Sequence, residues 1–147
     1  MVPFDLNPPQ QIIWAAMKAQ IDAGKPIRIR ILKARQQGVS LFSQNFCLHW
    51  TITKRSHQCL SIANRLDLPQ QWIRQLKRLL RQLKACSDAP TASASNKAEL
   101  YFEELDGSRY MIGSALGETP GMGDTLNGVH CSEIASWANP EDRKSVV

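Results

Sequence analysis

The residues best able to do chemistry lie in the run Lys33-Ala34-Arg35-Gln36-Gln37-Gly38-Val39-Ser40. A strand that turns sharply into a helix presents backbone N–H groups at the helix N-terminus, and these, with the helix dipole, form an anion site. Gly38 permits close backbone approach to a phosphate, and Ser40 puts a hydroxyl where a phosphate loop carries its Mg²⁺ ligand. The usual loop reads G-x-x-x-x-G-K-[ST]. Here Lys33 stands at the first glycine position and Val39 at the lysine position. Lys33 at the loop entrance can supply the missing cation, and Arg35 adds a planar fork suited to phosphate oxygens. The same run also fits a basic, glutamine-rich strand-to-helix turn with no ligand, and both readings stand on the local pattern.

Nucleotide hydrolysis also needs a carboxylate at a distant strand end, to orient water and help hold the metal. Val129-His130-Cys131-Ser132-Glu133 offers one. Glu133 would polarise the attacking water, and Ser132 sits where an aspartate usually helps to hold Mg²⁺. The alternative is a helix start, with Ser132 capping, Glu133 in the first turn, and Ile134, Ala135 and Trp137 in the core.

These candidates need elements to position them. Pro8 and Pro9, apolar residues at helical spacing through Ile21, and Gly24 predict a helix over 8–23. Ile27-Arg28-Ile29-Arg30-Ile31-Leu32 alternates and predicts a strand leading into the loop. A helix is expected from Val39 to Ile52 and a strand over 59–63. The clearest helix spans 70–84, with Trp72, Ile73, Leu76, Leu79, Leu80 and Leu83 on one face and Arg74, Lys77, Arg78 and Arg81 on the other. The Ser/Ala/Thr-rich residues 87–96 read as an exposed loop. Strands over 99–104 and 109–115 flank Asp106-Gly107-Ser108 as a hairpin. Gly113, Gly117, Gly121 and Gly123 make the next stretch loop-like, and Asp106 and Asp124 read as turn residues. Leu126 to Cys131 forms the last strand, ending at Ser132-Glu133. The order predicts an α/β sheet with the 33–40 junction as its notable feature.

Composition bounds the rest. The chain has 147 residues, 43% hydrophobic and 21% charged, which is ordinary globular usage for one domain or a fragment of one. No apolar run approaches the roughly 18 residues of a membrane helix, and no secretory signal opens the chain, so a soluble intracellular protein is expected. The net charge of +5 permits an anionic partner. Cys47, Cys59, Cys86 and Cys131 are too scattered for a zinc site and read as buried or free thiols. His49, His57 and His130 share no ligand spacing, and Trp14, Trp50, Trp72 and Trp137 lie in apolar or helical contexts, mostly as core. The stripe Arg74, Lys77, Arg78 and Arg81 is a candidate DNA contact, or simply a solvated face.

Taken together, Lys33 to Ser40 resembles the deviant Walker A loop of the large terminase subunit of tailed bacteriophages, the ATP-driven DNA-packaging motor. His130-Cys-Ser-Glu-Ile-Ala-Ser-Trp137 resembles that family's Walker B region, and Pro8-Pro9-Gln10-Gln11 resembles its adenine-reading glutamine motif. The resemblance covers residues 3 to 140. It implies a P-loop NTPase-like (RecA/ASCE-type) sheet with flanking helices, incomplete at its C-terminus, with ATP and Mg²⁺ as ligands. Lys33 would contact the β- and γ-phosphates, with Gln36, Gln37, Gly38, Val39 and Ser40 completing the nucleotide site. Arg35 would act as a cis arginine finger and Glu133 as the catalytic carboxylate, Ser40 and Ser132 would serve the metal, and Gln10 or Gln11 would read adenine. Gly121-Met122-Gly123 lacks the arginine often found ahead of Walker B.

Complete members continue into a coupling strand and a nuclease domain, whereas this sequence ends at Val147. The resemblance therefore predicts a truncated product or prophage remnant, with a gap in the sheet and Trp137 poorly covered. Partners implied are double-stranded DNA, the small terminase subunit, the portal protein and, at full length, further copies of the chain, in the bacterial cytoplasm and without a membrane. The competing readings are a non-enzymatic basic DNA-binding module and an inactive relic.

Overall fold

A computed structural model describes residues 5–34, 36–64, 68–116 and 125–137. Arg35, Gly117, the Gly121-Met122-Gly123 motif and Asp124 lie outside these residues. The chain divides into two compact units, Met1–Phe42 and Ser43–Val147.

In the first unit, helix α1 spans Pro8–Asp22. Asn7 caps it: its side chain accepts from Gln10 N, while Gln10 Oε1 accepts from Asn7 N, a reciprocal capping box ahead of a proline-led first turn. Gly24, at φ +65°, lets the chain leave the helix. The alternating segment 27–32 is not a strand, contrary to its pattern. A strand requires a partner for every second N–H and C=O, and here Gln20 stands in for one. Its side chain accepts from Arg28 N at 2.7 Å and donates to Arg28 O, while Leu32 is fully exposed.

Helix α2, Val39–Thr53, begins in the first unit and ends in the second. The second unit continues with β1 (Gln58–Ala63), α3 (Leu68–Lys84), β2 (Ala94–Ser95), β3 (Glu99–Phe102), β4 (Ser108–Ser114) and β5 (Gly128–Cys131), with 3₁₀ turns at Glu103–Leu105 and Ile134–Ser136. The strands form one mixed sheet in the order β2-β3-β4-β1-β5. β1 runs parallel to both β4 and β5, and the β2-β3-β4 edge is antiparallel. β1 sits centrally and is buried on both faces, as a strand flanked by parallel neighbours should be. In β4, Ser108, Tyr110, Ile112 and Ser114 point inward in strict alternation. The β3–β4 connection closes on Asp106 and Gly107, both at positive φ.

The core of this unit gathers Leu48, Trp72, Ile73, Leu76, Leu80, Leu100, Phe102, Tyr110 and Ile112, with α3 laying its apolar stripe on β4 and β1. Two-residue β2 lies inside the stretch expected to be loop. It exists only because Ala94 and Ser95 pair with Tyr101 and Leu100. Among the described residues β5 pairs with β1 alone. Among the described residues no helix is long and apolar enough to cross a membrane.

Candidate functional site

The candidate residues fall into the two units. In the first, Lys33 is exposed at the end of the extended segment. Gln36 and Gly38 take left-handed backbone at φ +60° and +69°, so the chain curls tightly just before α2 starts at Val39. The first helical bond runs from Phe42 N to Gly38 O at 3.0 Å, which leaves the Val39 and Leu41 amides outside the helix ladder. Gly38 suits its place for two reasons: its φ is disfavoured for other residues, and a Cβ there would stand 2.8 Å from Gln10 Nε2.

Gln10 and Asn7 hold this curl. Gln10 Nε2 donates to Gly38 O at 3.1 Å and Asn7 Nδ2 to Gln37 O at 3.2 Å. Gln10 is 5% exposed, and both ends of its amide are engaged. Gln11 is exposed and donates to Leu6 O at 2.7 Å. The structure therefore gives Gln10 a loop-holding contact, with Asn7 as its companion. Asn7 is absent from the sequence-derived site, although the Asn-x-x-Gln capping spacing was its visible signal.

In the second unit, parallel pairing brings the carboxyl ends of β4, β1 and β5 to one edge. Ala63 is level with Ser114, Ile62 with Cys131, and Ser132 N donates to Ile62 O at 2.9 Å. Open α/β sheets bind ligands at such an edge. Glu133 follows directly, at φ +55° and ψ 42°, a conformation costing a non-glycine residue about 1 kcal/mol. Its carboxylate accepts from Asn64 Nδ2 at 2.7 Å, and its carbonyl accepts from Ser136 Oγ at 2.7 Å. Asn64 Nδ2 also reaches Ser136 Oγ at 3.1 Å, while Asn64 Oδ1 is buried without a partner. Glu133 therefore does not open an α-helix capped by Ser132: it is a strained residue between a strand and a single 3₁₀ turn.

Trp137, expected to be poorly covered, is 3% exposed. Its indole Nε1 donates to Ser132 O at 3.1 Å, so the ring closes over the turn that carries Glu133. Asn64 was missed because a lone sequence carries no signal of parallel register.

Behind this edge lies a buried polar group. Ser61 Oγ is 2.6 Å from Tyr110 OH and 3.3 Å from His130 Nδ1, and the His130 ring stacks on Trp72. All four cysteines are free thiols. The hydrogen bond between Cys47 and Cys59 raises the Cys47 thiol well above its ordinary range and lowers that of Cys59. Burial pushes Cys131 up to about 11, leaving it a protonated thiol at neutral pH. Among the described residues no three His, Cys, Asp or Glu side chains gather to hold a metal.

Burial also lowers His130 to about 4. The unfolded chain protonates this ring near pH 6.5 and the folded chain only near 4, so the unfolded state binds the extra proton between those values. Stability is expected to be full above pH 6.5, to fall by up to about 3 kcal/mol down to pH 4, and to level off below. His57, also lowered by burial, adds in the same direction. Urea midpoints at pH 7 and pH 5 for the chain and for His130→Gln check this. An equal pH dependence in the two would remove His130 as the cause.

On α3, Arg74, Arg78 and Arg81 are exposed and Lys77 is half-buried, with Lys77 Nζ donating to Asn96 O at 3.1 Å. Comparison with family models, with curated proteins and with solved structures finds no match for this chain. The class that stands is a mixed α/β protein, with a five-stranded mixed sheet and three helices among the described residues.

Proposed function

We propose that this chain is the ATP-binding part of a P-loop ATPase of the RecA/ASCE type, within a phage DNA-packaging motor of the large terminase class. One observation carries the reading: Gln36 and Gly38 turn left-handed directly before α2, which sets the Val39 and Leu41 amides outside the helix ladder as donors for a phosphate. Glu133, strained and held by Asn64 at the carboxyl edge of parallel strands, supports it as the carboxylate that orients water.

In this reading Lys33 neutralises the β- and γ-phosphates and Arg35 the charge that develops during transfer. Magnesium favours phosphate oxygens and water over an all-protein cage, and in this reading the Ser40 hydroxyl would help to hold it, where it would supply charge neutralisation for the phosphates. In the whole motor the partners are double-stranded DNA, the small subunit, the portal and further copies of the chain.

A second reading, a folded relic without turnover, is favoured by segment 27–32, which pairs with no strand ahead of the loop. Titration with a fluorescent ATP analogue and Mg²⁺, with Lys33→Ala alongside, tests the first. Saturable binding that weakens at least about tenfold in the variant is expected, a change of about 1.4 kcal/mol. No binding by either chain, together with a cooperative thermal melt, would overturn it in favour of the relic.

A further inference from the structure

α3 carries Arg74, Lys77, Arg78, Arg81 and Lys84 and no acidic residue. The ion pairs of the described residues lie elsewhere, at Lys18–Asp22, Arg55–Asp106 and Arg109–Glu99. Lys84 reaches Thr91 Oγ1, Lys77 Nζ reaches Asn96 O and Arg81 Nε reaches Lys77 O, and Arg74, Lys77, Arg78 and Arg81 form one stripe with no carboxylate partner among the described residues. At 1.5 Å per residue their stripe runs about 10 Å, the axial rise of about three phosphates of one nucleic-acid strand at 3.4 Å each.

This stripe is one wall of a groove. Gln70, Ile73, Arg74 and Lys77 of α3 face Ser95, Asn96 and Lys97 of the β2–β3 hairpin across about 400 Å³. Lys77 Nζ spans the groove to Asn96 O. The hairpin tip is held by Asn96, whose Oδ1 accepts from Ala98 N at 2.7 Å and whose N donates to Glu99 O at 3.1 Å. Lys97 is exposed at that held tip. Among the described residues no carboxylate lines the groove: Glu99 is turned to Arg109, and Glu104 accepts from Thr91 N.

We propose that this groove seats the phosphodiester backbone of a nucleic acid, with Arg74, Lys77 and Lys97 around one phosphate and Arg78 and Arg81 along the next. Three cations from two elements, with side-chain amides beside them, match phosphate oxygens in charge and donor number. An anionic lipid surface fits less well, because among the described residues none of the exposed large apolar side chains lies on α3 or the hairpin. The groove does not depend on the nucleotide reading, and its test contains no ATP.

The experiment is fluorescence anisotropy of labelled single-stranded and duplex DNA of mixed sequence, from about 50 to 200 mM salt, with phosphatidylserine vesicles as the competing surface. The two neutralised phosphates predict a slope of log K against log salt of about −1.5 to −2. Lys97→Ala should weaken binding and make the slope shallower, and Arg74→Glu with Lys97→Glu should weaken binding at least about tenfold. Lys18→Glu with Lys25→Glu, matched in charge to that double variant and remote in sequence, should bind like the parent chain, and thermal melts should confirm that all variants fold. A preference for either DNA form identifies the source of the phosphodiester and supports the groove. Unchanged affinity and slope in Lys97→Ala, retained affinity in the double variant, or binding to vesicles without binding to DNA would overturn it.

Discussion

If the proposed ATPase reading holds, Glu133→Gln is expected to bind nucleotide as the parent chain does and to hydrolyse it about 10² to 10⁴ times more slowly, the range of a lost general base. The substitution keeps the shape of the side chain and an oxygen able to accept from Asn64 Nδ2, so the turn that holds it should persist. What disappears is the charge and basicity that would draw a proton from water. In that reading Asn64 would act on the same step at one remove, as a positioning residue. Asn64→Ala frees the carboxylate to rotate and should slow hydrolysis by about tenfold, roughly 1.4 kcal/mol of lost orientation. Phosphate release measured beside analogue binding separates the two quantities. Equal turnover in Glu133→Gln would remove Glu133 from the chemistry and leave its strain to another cause.

Trp137→Ala should cost about 3–5 kcal/mol of stability, the usual range for emptying a large buried aromatic site. The ring is 3% exposed, and its Nε1 holds Ser132 O. Against a typical domain stability of about 5–15 kcal/mol, that loss brings a chain of ordinary stability close to unfolding. Trp137→Phe keeps most of the apolar surface and drops the hydrogen bond, so it should cost less than the alanine variant, with about 1 kcal/mol from the bond itself. Urea denaturation of the three chains gives the comparison. An alanine variant with the parent midpoint would show that Trp137 is peripheral to the fold.

The two tests meet at one turn. Trp137 closes over Ser132, and Ser132 precedes the strained Glu133 that Asn64 holds. A loosened ring should therefore disturb the carboxylate as well as the fold, and Trp137→Phe should show some loss of hydrolysis with nucleotide binding retained.

Local pattern made much of this molecule legible. Helices predicted over 39–52 and 70–84 appear as Val39–Thr53 and Leu68–Lys84, and the turn at Asp106-Gly107 joins two antiparallel strands as expected. A helix satisfies its backbone within its own segment, and a tight hairpin pairs neighbours, so residue types and spacing suffice for both. The helix over 8–23 was legible for the same reason, from its prolines, its periodic apolar residues and Gly24.

Where a partner lies far along the chain, the sequence by itself determined only a possibility. Residues 27–32 alternate as well as any strand here, yet among the described residues the structure supplies no ladder for them. The residue types at Lys33–Ser40 and at Glu133 were visible from the start. Tertiary structure decided that Gln10 ties down Gly38, that Asn64 meets Glu133 across a parallel register, and that Trp137 is buried. The physical reason is common to all of these: a hydrogen bond between distant residues exists only when the fold brings donor and acceptor within about 3 Å, and no local spacing encodes that approach.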